Sequence, residues 1–288
     1  MRRVLLAALL ALLALPASAS ATWSIIAIDR NTGRIVISSA TCAATAPNQL
    51  KLLQAIVIPG VGVAAAQAGV DRSHENQKLI YNEMLEGTYP TRIIEMLEEF
   101  EMAKDEPRME SRQFGIIDFQ GRTAGFSGAR NGSVSMDLQG ESDDGIIWAV
   151  QGNIIATEEA LTAAALIMQH GPADVIDRVM LAMEVADVRG GDRRCTCERE
   201  PLPEAPCNGK TSHVSYLLAA DPDDPMGEFA PDHPESMEAP YNDGDYYLYL
   251  MVVPTNTLPT EDANPVRTLR MRYDAWKVEQ GLAPPPGS

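Results

Sequence analysis

From residue 22 the chain has short runs of apolar residues that are separated by turn residues. The segments TWSIIAID (22–29) and RIVISSA (34–40) are apolar and β-prone, and the turn sequence NTG separates them. This arrangement predicts a β-hairpin. The segment 55–69 predicts a second hairpin that turns at its Pro-Gly pair. Its residues are small and apolar, so we expect strands that are covered on both faces.

Apolar residues at helical spacing follow the second hairpin. Ser73 is predicted to cap a helix that ends near Glu86, and residues 91–104 predict the next helix. The same patterns predict a hairpin at 112–128, a strand at 145–153, helices at 157–170 and 173–188, strands at 213–220 and 245–253, and a helix at 263–281.

Clustered strands alternate here with paired helices, which argues against a parallel βαβ sheet. We therefore predict an α+β fold in which antiparallel sheets are covered by helices, in layers. Residues 22–281 are expected to form one domain. Within it, residues 192–211 form a loop with cysteines and residues 221–244 an acidic excursion, while the tail 282–288 is expected to be disordered.

The first 21 residues are typical of a secretory signal peptide. Arg2 and Arg3 precede an apolar run at 4–15, which is too short to span a bilayer, and small residues follow Pro16. A retained membrane anchor is the alternative. Two overlapping small-x-small sites would release Ser20 or Thr22, and the strand pattern favours Thr22. Export to the periplasm or the medium is therefore expected, with no membrane attachment after cleavage.

Composition narrows the classes of partner. Loss of the leader leaves 267 of the 288 residues and takes the formal net charge from −17 to −19, because the leader carries Arg2 and Arg3. This acidity disfavours binding to nucleic acid and to anionic lipid. A small molecule or a peptide is the expected substrate, and a homo-oligomer is left open.

Four cysteines are compatible with disulfides in an oxidising compartment. Cys195 and Cys197 are too close in sequence for an easy mutual bridge. We expect one of them to pair with Cys207 and the other with Cys42. A zinc site in which His213 joins the last three cysteines is the competing interpretation, but the spacing is not a usual zinc pattern. No metal or other cofactor is expected.

A threonine at the mature N-terminus carries its own base. The free α-amine has an unperturbed pKa of about 7.7–8.0, so it can accept a proton from the hydroxyl directly or through a water. None of the four histidines stands beside a serine or cysteine in a recognisable arrangement. The segment GFSGA (125–129) lacks the last glycine of a nucleophile elbow and lies in a predicted hairpin. Thr22 is therefore the candidate nucleophile.

Polar residues at the ends of predicted strands are the other candidates. Gln151 and Asn153 end one strand, and their amides could stabilise an oxyanion. Gln67 ends another. Asp192 and Arg194 follow a glycine pair, and such a pair can orient a substrate or brace a loop.

Strand alternation adds two hydroxyl groups. Ser24 shares a strand face with Thr22. Ser38, near the end of the paired strand, is expected to line the same site and to bind substrate.

Five segments together resemble a known bacterial family. TWSIIAIDRNTGRIVISSA, GVGVAAAQA, QFGIIDFQGRTAGFSG, AVQGNIIA and GGDRR occur in the order and spacing of domain of unknown function 1028 (DUF1028). The resemblance covers residues 22 to about 220. It implies a fold similar to N-terminal nucleophile (Ntn) hydrolases, which are four-layer αββα sandwiches. Cytoplasmic members begin Met-Thr-Phe-Ser, so TWS matches their exposed threonine.

The resemblance implies amidohydrolase chemistry with Thr22 as nucleophile. Asn153 or Gln151 would hold the oxyanion, and Asp192 and Arg194 would bind substrate or orient the amine. The cysteine loop after Arg194 departs from the family pattern near GGDRR. The alternative is a non-catalytic protein that binds a small ligand on the same scaffold, because no lysine or aspartate stands near the end of the second strand.

Overall fold

The computed structural model describes residues 22–43, 49–69, 71–132, 134–195, 209–227 and 241–283. Ten strands lie in these ranges: β1 Thr22–Asp29, β2 Ile35–Thr41, β3 Ala55–Ile58, β4 Gly62–Ala68, β5 Arg112–Asp118, β6 Thr123–Ser127, β7 Ser135–Glu141, β8 Ile146–Asn153, β9 Val214–Ala220 and β10 Leu248–Val252. Six α-helices accompany them: α1 Gln49–Gln54, α2 Glu75–Leu85, α3 Pro90–Met102, α4 Glu158–His170, α5 Val175–Val188 and α6 Pro265–Glu279. A 3₁₀ turn, Met109–Ser111, precedes β5.

The strands form two antiparallel sheets. The large sheet has the order β10-β9-β2-β1-β8-β7, and the small sheet has the order β3-β4-β5-β6. Every pair of neighbouring strands is antiparallel. The mixed α+β class and the antiparallel sheets are therefore confirmed. β1 lies in the interior of the large sheet, between β2 and β8.

Both faces of the large sheet are covered, which explains its nearly continuous apolar strands. Ile25 and Ala27 of β1 pack in one hydrophobic cluster with residues of α4, α5 and α6. Ile26 and Ile28 point the other way and pack against residues of β3, β4 and β5. This division follows from strand geometry, because successive side chains point to opposite faces.

The outer face of the small sheet packs against α2 and α3. Ile80 and Met84 of α2 and Ile93 and Leu97 of α3 are buried there with the alternate residues of β3, β4 and β5. Pro90 occupies the first turn of α3, where its missing N–H leaves no hydrogen bond unmade.

The start of α2 differs from the N-cap that the sequence predicts. The residue that precedes α2 is His74, which has a φ of 61°, and it is not Ser73. The Ser73 hydroxyl donates instead to the carboxylates of Asp71 (2.6 Å) and Glu75 (3.1 Å). The backbone N–H of Asn76, in the first turn of α2, donates to Asp71 Oδ2 (3.0 Å), so the Asp71 carboxylate takes the capping role expected of Ser73. The helix α1 and the strand β7 are elements that the sequence pattern did not predict.

Parts of several sequence predictions lie outside the described residues. These are the signal peptide at 1–21, the middle of the cysteine loop at 196–208, the acidic stretch 228–240 and the tail from 284. None of the helices that the structure describes combines the length and the apolar character that a bilayer span requires.

Candidate functional site

The inter-sheet layer, meaning the side chains between the two sheets, changes character along β1. At the Asp29 end it contains Ile26 and Ile28 with other apolar residues. At the Thr22 end it contains buried amides and hydroxyls. Five amides, which we call the amide cluster, are at most 3% exposed: Gln54, Gln67, Gln113, Gln151 and Asn153.

Gln113 of β5 joins the two sheets. Its Oε1 accepts hydrogen bonds from Gln67 Nε2 (2.7 Å) and Asn153 Nδ2 (3.0 Å). Its Nε2 donates to the carbonyl of Gly152 (2.9 Å) and to Ser127 Oγ (2.5 Å). Gln113 was not among the sequence candidates. The available signal was a fully polar side chain beside the apolar run FGII in a strand covered on both faces.

Gln67 of β4 links the cluster to β1. Its Oε1 accepts from Ser24 Oγ (2.8 Å) and from Gln54 Nε2 (2.6 Å), and its Nε2 donates to the Thr22 carbonyl (3.3 Å). The Tyr216 hydroxyl donates to Gln54 Oε1 (2.9 Å). Complete burial raises the pKa of Tyr216 well above its usual value, so this hydroxyl remains a donor.

Gln151 of β8 packs against Gly115 of β5, which has no side chain. Its Nε2 donates to Ser24 Oγ (3.1 Å). A Cβ added at Gly115 of β5 would lie 2.2 Å from Gln151 Oε1, so only glycine leaves room for the amide. Among the described residues, Gln151 Oε1 has no hydrogen-bond partner, and neither has Asn153 Oδ1.

Thr22 begins β1 and lies between Thr41 of β2 and Asn153 of β8 in the strand register. Its hydroxyl donates to Thr41 Oγ1 at 3.3 Å. Its carbonyl accepts from Gln67 Nε2 (3.3 Å) and Asn153 Nδ2 (3.4 Å). The residue is 3% exposed. Backbone and hydroxyl are thus both held by side chains from other strands.

Asp192 and Arg194 form a buried ion pair beside this position. The carboxylate accepts from Arg194 Nε (3.1 Å) and Nη2 (2.7 Å), and from the backbone N–H of Cys42 (2.7 Å). Burial raises the pKa of Asp192, and the hydrogen bonds from Arg194 oppose that shift. Arg194 Nη2 also donates to Thr41 Oγ1 at 3.4 Å, which links the ion pair to the hydroxyl that contacts Thr22.

A disulfide joins the two segments that carry these groups. Cys42 bonds to Cys195, with their Cα atoms 6.0 Å apart and a sequence separation of 153. Cys42 follows Thr41 and Cys195 follows Arg194, so the disulfide joins the two residues next in sequence to the Thr41–Arg194 contact. The partners expected for the other bridge, Cys197 and Cys207, lie outside the described residues. Because Cys195 is already bonded, it is not available as a zinc ligand.

The remaining serine candidates differ in position. Ser24 lies in the inter-sheet layer, as its hydrogen bonds to the amide cluster require. Ser38 pairs with Ile25 in the register and lies on the helix-covered face, where its hydroxyl donates to the carbonyl of Tyr216 (2.7 Å). The residue of β2 that pairs with Ser24 is Ser39, which donates to the carbonyl of Trp23 (2.8 Å). The structure therefore does not bring Ser38 to Thr22.

The structure thus brings seven sequence candidates together around the Thr22 end of β1: Thr22, Ser24, Gln67, Gln151, Asn153, Asp192 and Arg194. It adds Thr41, Gln54 and Gln113, which the sequence did not single out. The part of the chain that the structure describes has no group of three or more His, Cys, Asp or Glu side chains able to hold a metal ion.

The chain is similar to a solved structure in fold and to a family model in sequence. None of the curated proteins matches the chain. The crystal structure of a Silicibacter pomeroyi protein assigned to DUF1028 is similar, with a TM-score of 0.61, 16% identity, and 90% of each chain covered. That likeness concerns the fold alone. A family model described as a family of unknown function, DUF1028, matches residues 22–199. Since this match spans more than half of the 288 residues, the chain belongs to the DUF1028 family.

Proposed function

We propose that the mature protein is an exported amidohydrolase whose N-terminal residue, Thr22, is the nucleophile. The observation that carries the proposal is the setting of Thr22. It begins an interior strand, its hydroxyl has a hydrogen-bond partner, and two side-chain amides bind its carbonyl. Cleavage after Ala21 would free an amine at this same residue.

The reaction requires a base and an oxyanion donor. Thr22 Oγ attacks the carbonyl carbon of a small amide or peptide, and the neutral α-amine receives the hydroxyl proton directly or through a relay. Asn153 pairs with Thr22 in the register, so its Nδ2 is the proposed donor for the oxyanion, with Gln151 beside it on the same face of β8. The amine then protonates the leaving nitrogen, and water hydrolyses the acyl-enzyme.

An unpaired acceptor supports a free amine at this position. Asn153 Oδ1 is fully buried and lacks a partner among the described residues, although Asn153 pairs with Thr22 in the register. A buried acceptor without a donor costs about 1–3 kcal/mol. The ammonium or amine of a mature Thr22 would add N–H donors at the residue that pairs with Asn153. Asp192 and Arg194 then orient the amine or bind the substrate.

The packing order supports the finer fold assignment. Helices α4–α6 pack on one face of the large sheet, the small sheet packs on its other face, and α2 and α3 cover the small sheet. This order supports our proposal of a four-layer αββα sandwich, the architecture of Ntn hydrolases that the sequence resemblance implies.

The test begins with the N-terminus of the exported protein. Mass spectrometry should find a mature chain that starts at Thr22. A peptide α′,β′-epoxyketone is then a suitable probe, because Oγ adds to its ketone and the α-amine opens its epoxide. We expect one whole probe bound to the first residue, and none in Thr22→Ala. Thr32→Ala is the matched control, since Thr32 lies exposed in the β1–β2 turn. A mature start at Ser20, or a Thr22 start without labelling, contradicts the proposal.

The second candidate is a non-catalytic protein that binds a small ligand. The low exposure of Thr22, 3%, favours it, because a buried hydroxyl is poorly accessible to a substrate. Under this function, Thr22→Ala keeps any ligand-induced rise in melting temperature, and no covalent adduct forms.

A further inference from the structure

Thr41 is the residue that directly contacts the hydroxyl of Thr22. The two threonines pair across β1 and β2, and Thr22 Oγ1 donates to Thr41 Oγ1 at 3.3 Å. Thr41 is 1% exposed. Its hydroxyl is one of the few groups that can receive the Thr22 proton without a water molecule.

The covalent geometry of an N-terminal threonine makes such a group useful. The amine and Oγ of one residue are separated by two carbon atoms, so a direct O–H···N contact closes a five-membered ring. The donor angle in so small a ring lies far below the preferred 150° or more, and hydrogen bonds weaken steeply as that angle closes. A hydroxyl on the neighbouring strand permits two straighter transfers in place of one bent transfer.

We propose, on the basis of the proposed function, that Thr41 is a catalytic residue that relays the proton from Thr22 Oγ to the Thr22 α-amine. As Oγ bonds to the substrate carbonyl carbon, its proton passes to Thr41 Oγ1. Thr41 simultaneously gives its own proton to the neutral amine, so its protonation is unchanged. The ammonium returns the proton to the leaving nitrogen when the carbon–nitrogen bond breaks.

Two further hydrogen bonds to the Thr41 hydroxyl suit it to this role. Its Oγ1 accepts from the backbone N–H of Ala43 (3.1 Å) and from Arg194 Nη2 (3.4 Å). Both donors hold the Thr41 oxygen in position beside Thr22 Oγ while the two protons move. Asp192 fixes Arg194 through two hydrogen bonds, and the bond from Cys42 to Cys195 holds the two segments together.

The experiment measures acylation of the mature protein by a small β-lactone. Oγ bonds to the lactone carbonyl, the ring acyl–oxygen bond breaks, and the ring oxygen takes the relayed proton, so the whole lactone mass is added at Thr22. Thr41→Val keeps the shape and the strand preference but removes the hydroxyl. We expect acylation to slow about tenfold or more. Thr41→Ser should restore the rate to within about threefold of wild type, because a hydroxyl is again available.

A matched control tests the loss of a buried hydroxyl as such. Ser39 lies two residues away on the same face of β2, and its hydroxyl bonds to a backbone carbonyl and not to Thr22. Ser39→Ala should acylate at the wild-type rate. Wild-type protein in mixtures of H₂O and D₂O gives a second readout. Two protons in flight give a curved dependence of rate on deuterium fraction, and one proton gives a straight line.

The outcomes separate the relay from the proposed function. Absence of lactone at Thr22 in the wild type overturns the proposed function itself. Wild-type acylation with an equally fast Thr41→Val overturns the relay alone, and so does a linear isotope dependence in the wild type. The isotope measurement needs no variant, so a linear dependence overturns the relay even if Thr41→Val does not fold.

Discussion

Gln113 offers a direct test of whether the amide cluster holds the two sheets together. Gln113→Met keeps nearly the same side-chain length and removes every polar atom. It takes the acceptor from Gln67 Nε2 and Asn153 Nδ2, and the donor from the Gly152 carbonyl. The two amide donors keep only their longer contacts to the Thr22 carbonyl, at 3.3 and 3.4 Å.

The cost follows from the polar groups left unsatisfied in a fully buried site. Each costs about 1–3 kcal/mol, and burial of the more apolar methionine returns part of this. With two amide donors affected, we expect the free energy of unfolding to fall by about 2–5 kcal/mol. In a chain of this size the melting temperature should fall by about 5–15 °C.

Urea denaturation followed by both fluorescence and circular dichroism measures this loss, provided that the two transitions coincide. Gln120→Met is the control, because Gln120 is exposed in the β5–β6 turn and its replacement should change stability by at most about 0.5 kcal/mol. A loss below about 1 kcal/mol for Gln113→Met would refute the reasoning, since it would mean that the amides find other partners at little cost.

Three further predictions concern neighbouring features. Replacing Cys42 and Cys195 together by serine should lower the free energy of unfolding by about 2–5 kcal/mol, measured by denaturation against reduced wild type, which should behave like the variant. Gly115→Ala should lower the free energy of unfolding by about 1–3 kcal/mol, because the added methyl group meets the Gln151 amide. If that contact is the cause, the double variant Gly115→Ala/Gln151→Ala should lose less stability than the sum of the two single variants. Burial raises the pKa of Asp137, so the stability due to this group falls as the pH rises above the pKa of the unfolded chain, near 3.8. Asp137→Asn should therefore be more stable than wild type at pH 7 and equally stable near pH 3. An equal difference at both pH values would contradict the assignment.

Strands with apolar residues on both faces were predictable from the sequence. β1, β4 and β8 carry almost uninterrupted apolar runs, and their observed bounds agree closely with the pattern. β7 was missed because its sequence, SMDLQGE, has only two apolar side chains, too few to establish an alternating pattern, and includes Gly140. That glycine weakens a strand pattern, yet the fold requires it, because a Cβ there would lie 2.5 Å from the Trp148 ring.

Of the site residues, the sequence predicted those that are polar and stand at the ends of apolar strands. Gln67, Gln151 and Asn153 are polar residues that end or nearly end apolar strands, and the structure brings them together. Gln113 lies near the start of its strand, so the same rule passed over it. The error between Ser38 and Ser39 has a different origin. Alternation assigns a face within one strand, but the register between strands decides which residue lies opposite Ser24.

The two ends of the inter-sheet layer imply different tolerance to sequence drift. Ile26 and Ile28 pack through contacts that have no direction, so apolar residues of similar volume can replace them at modest cost. The amide cluster depends on matched donors and acceptors, and a change at one member leaves several others unmatched. Along one strand, β1, the fold thus passes from positions that accept many sequences to positions that accept few, and Thr22 stands at the restrictive end.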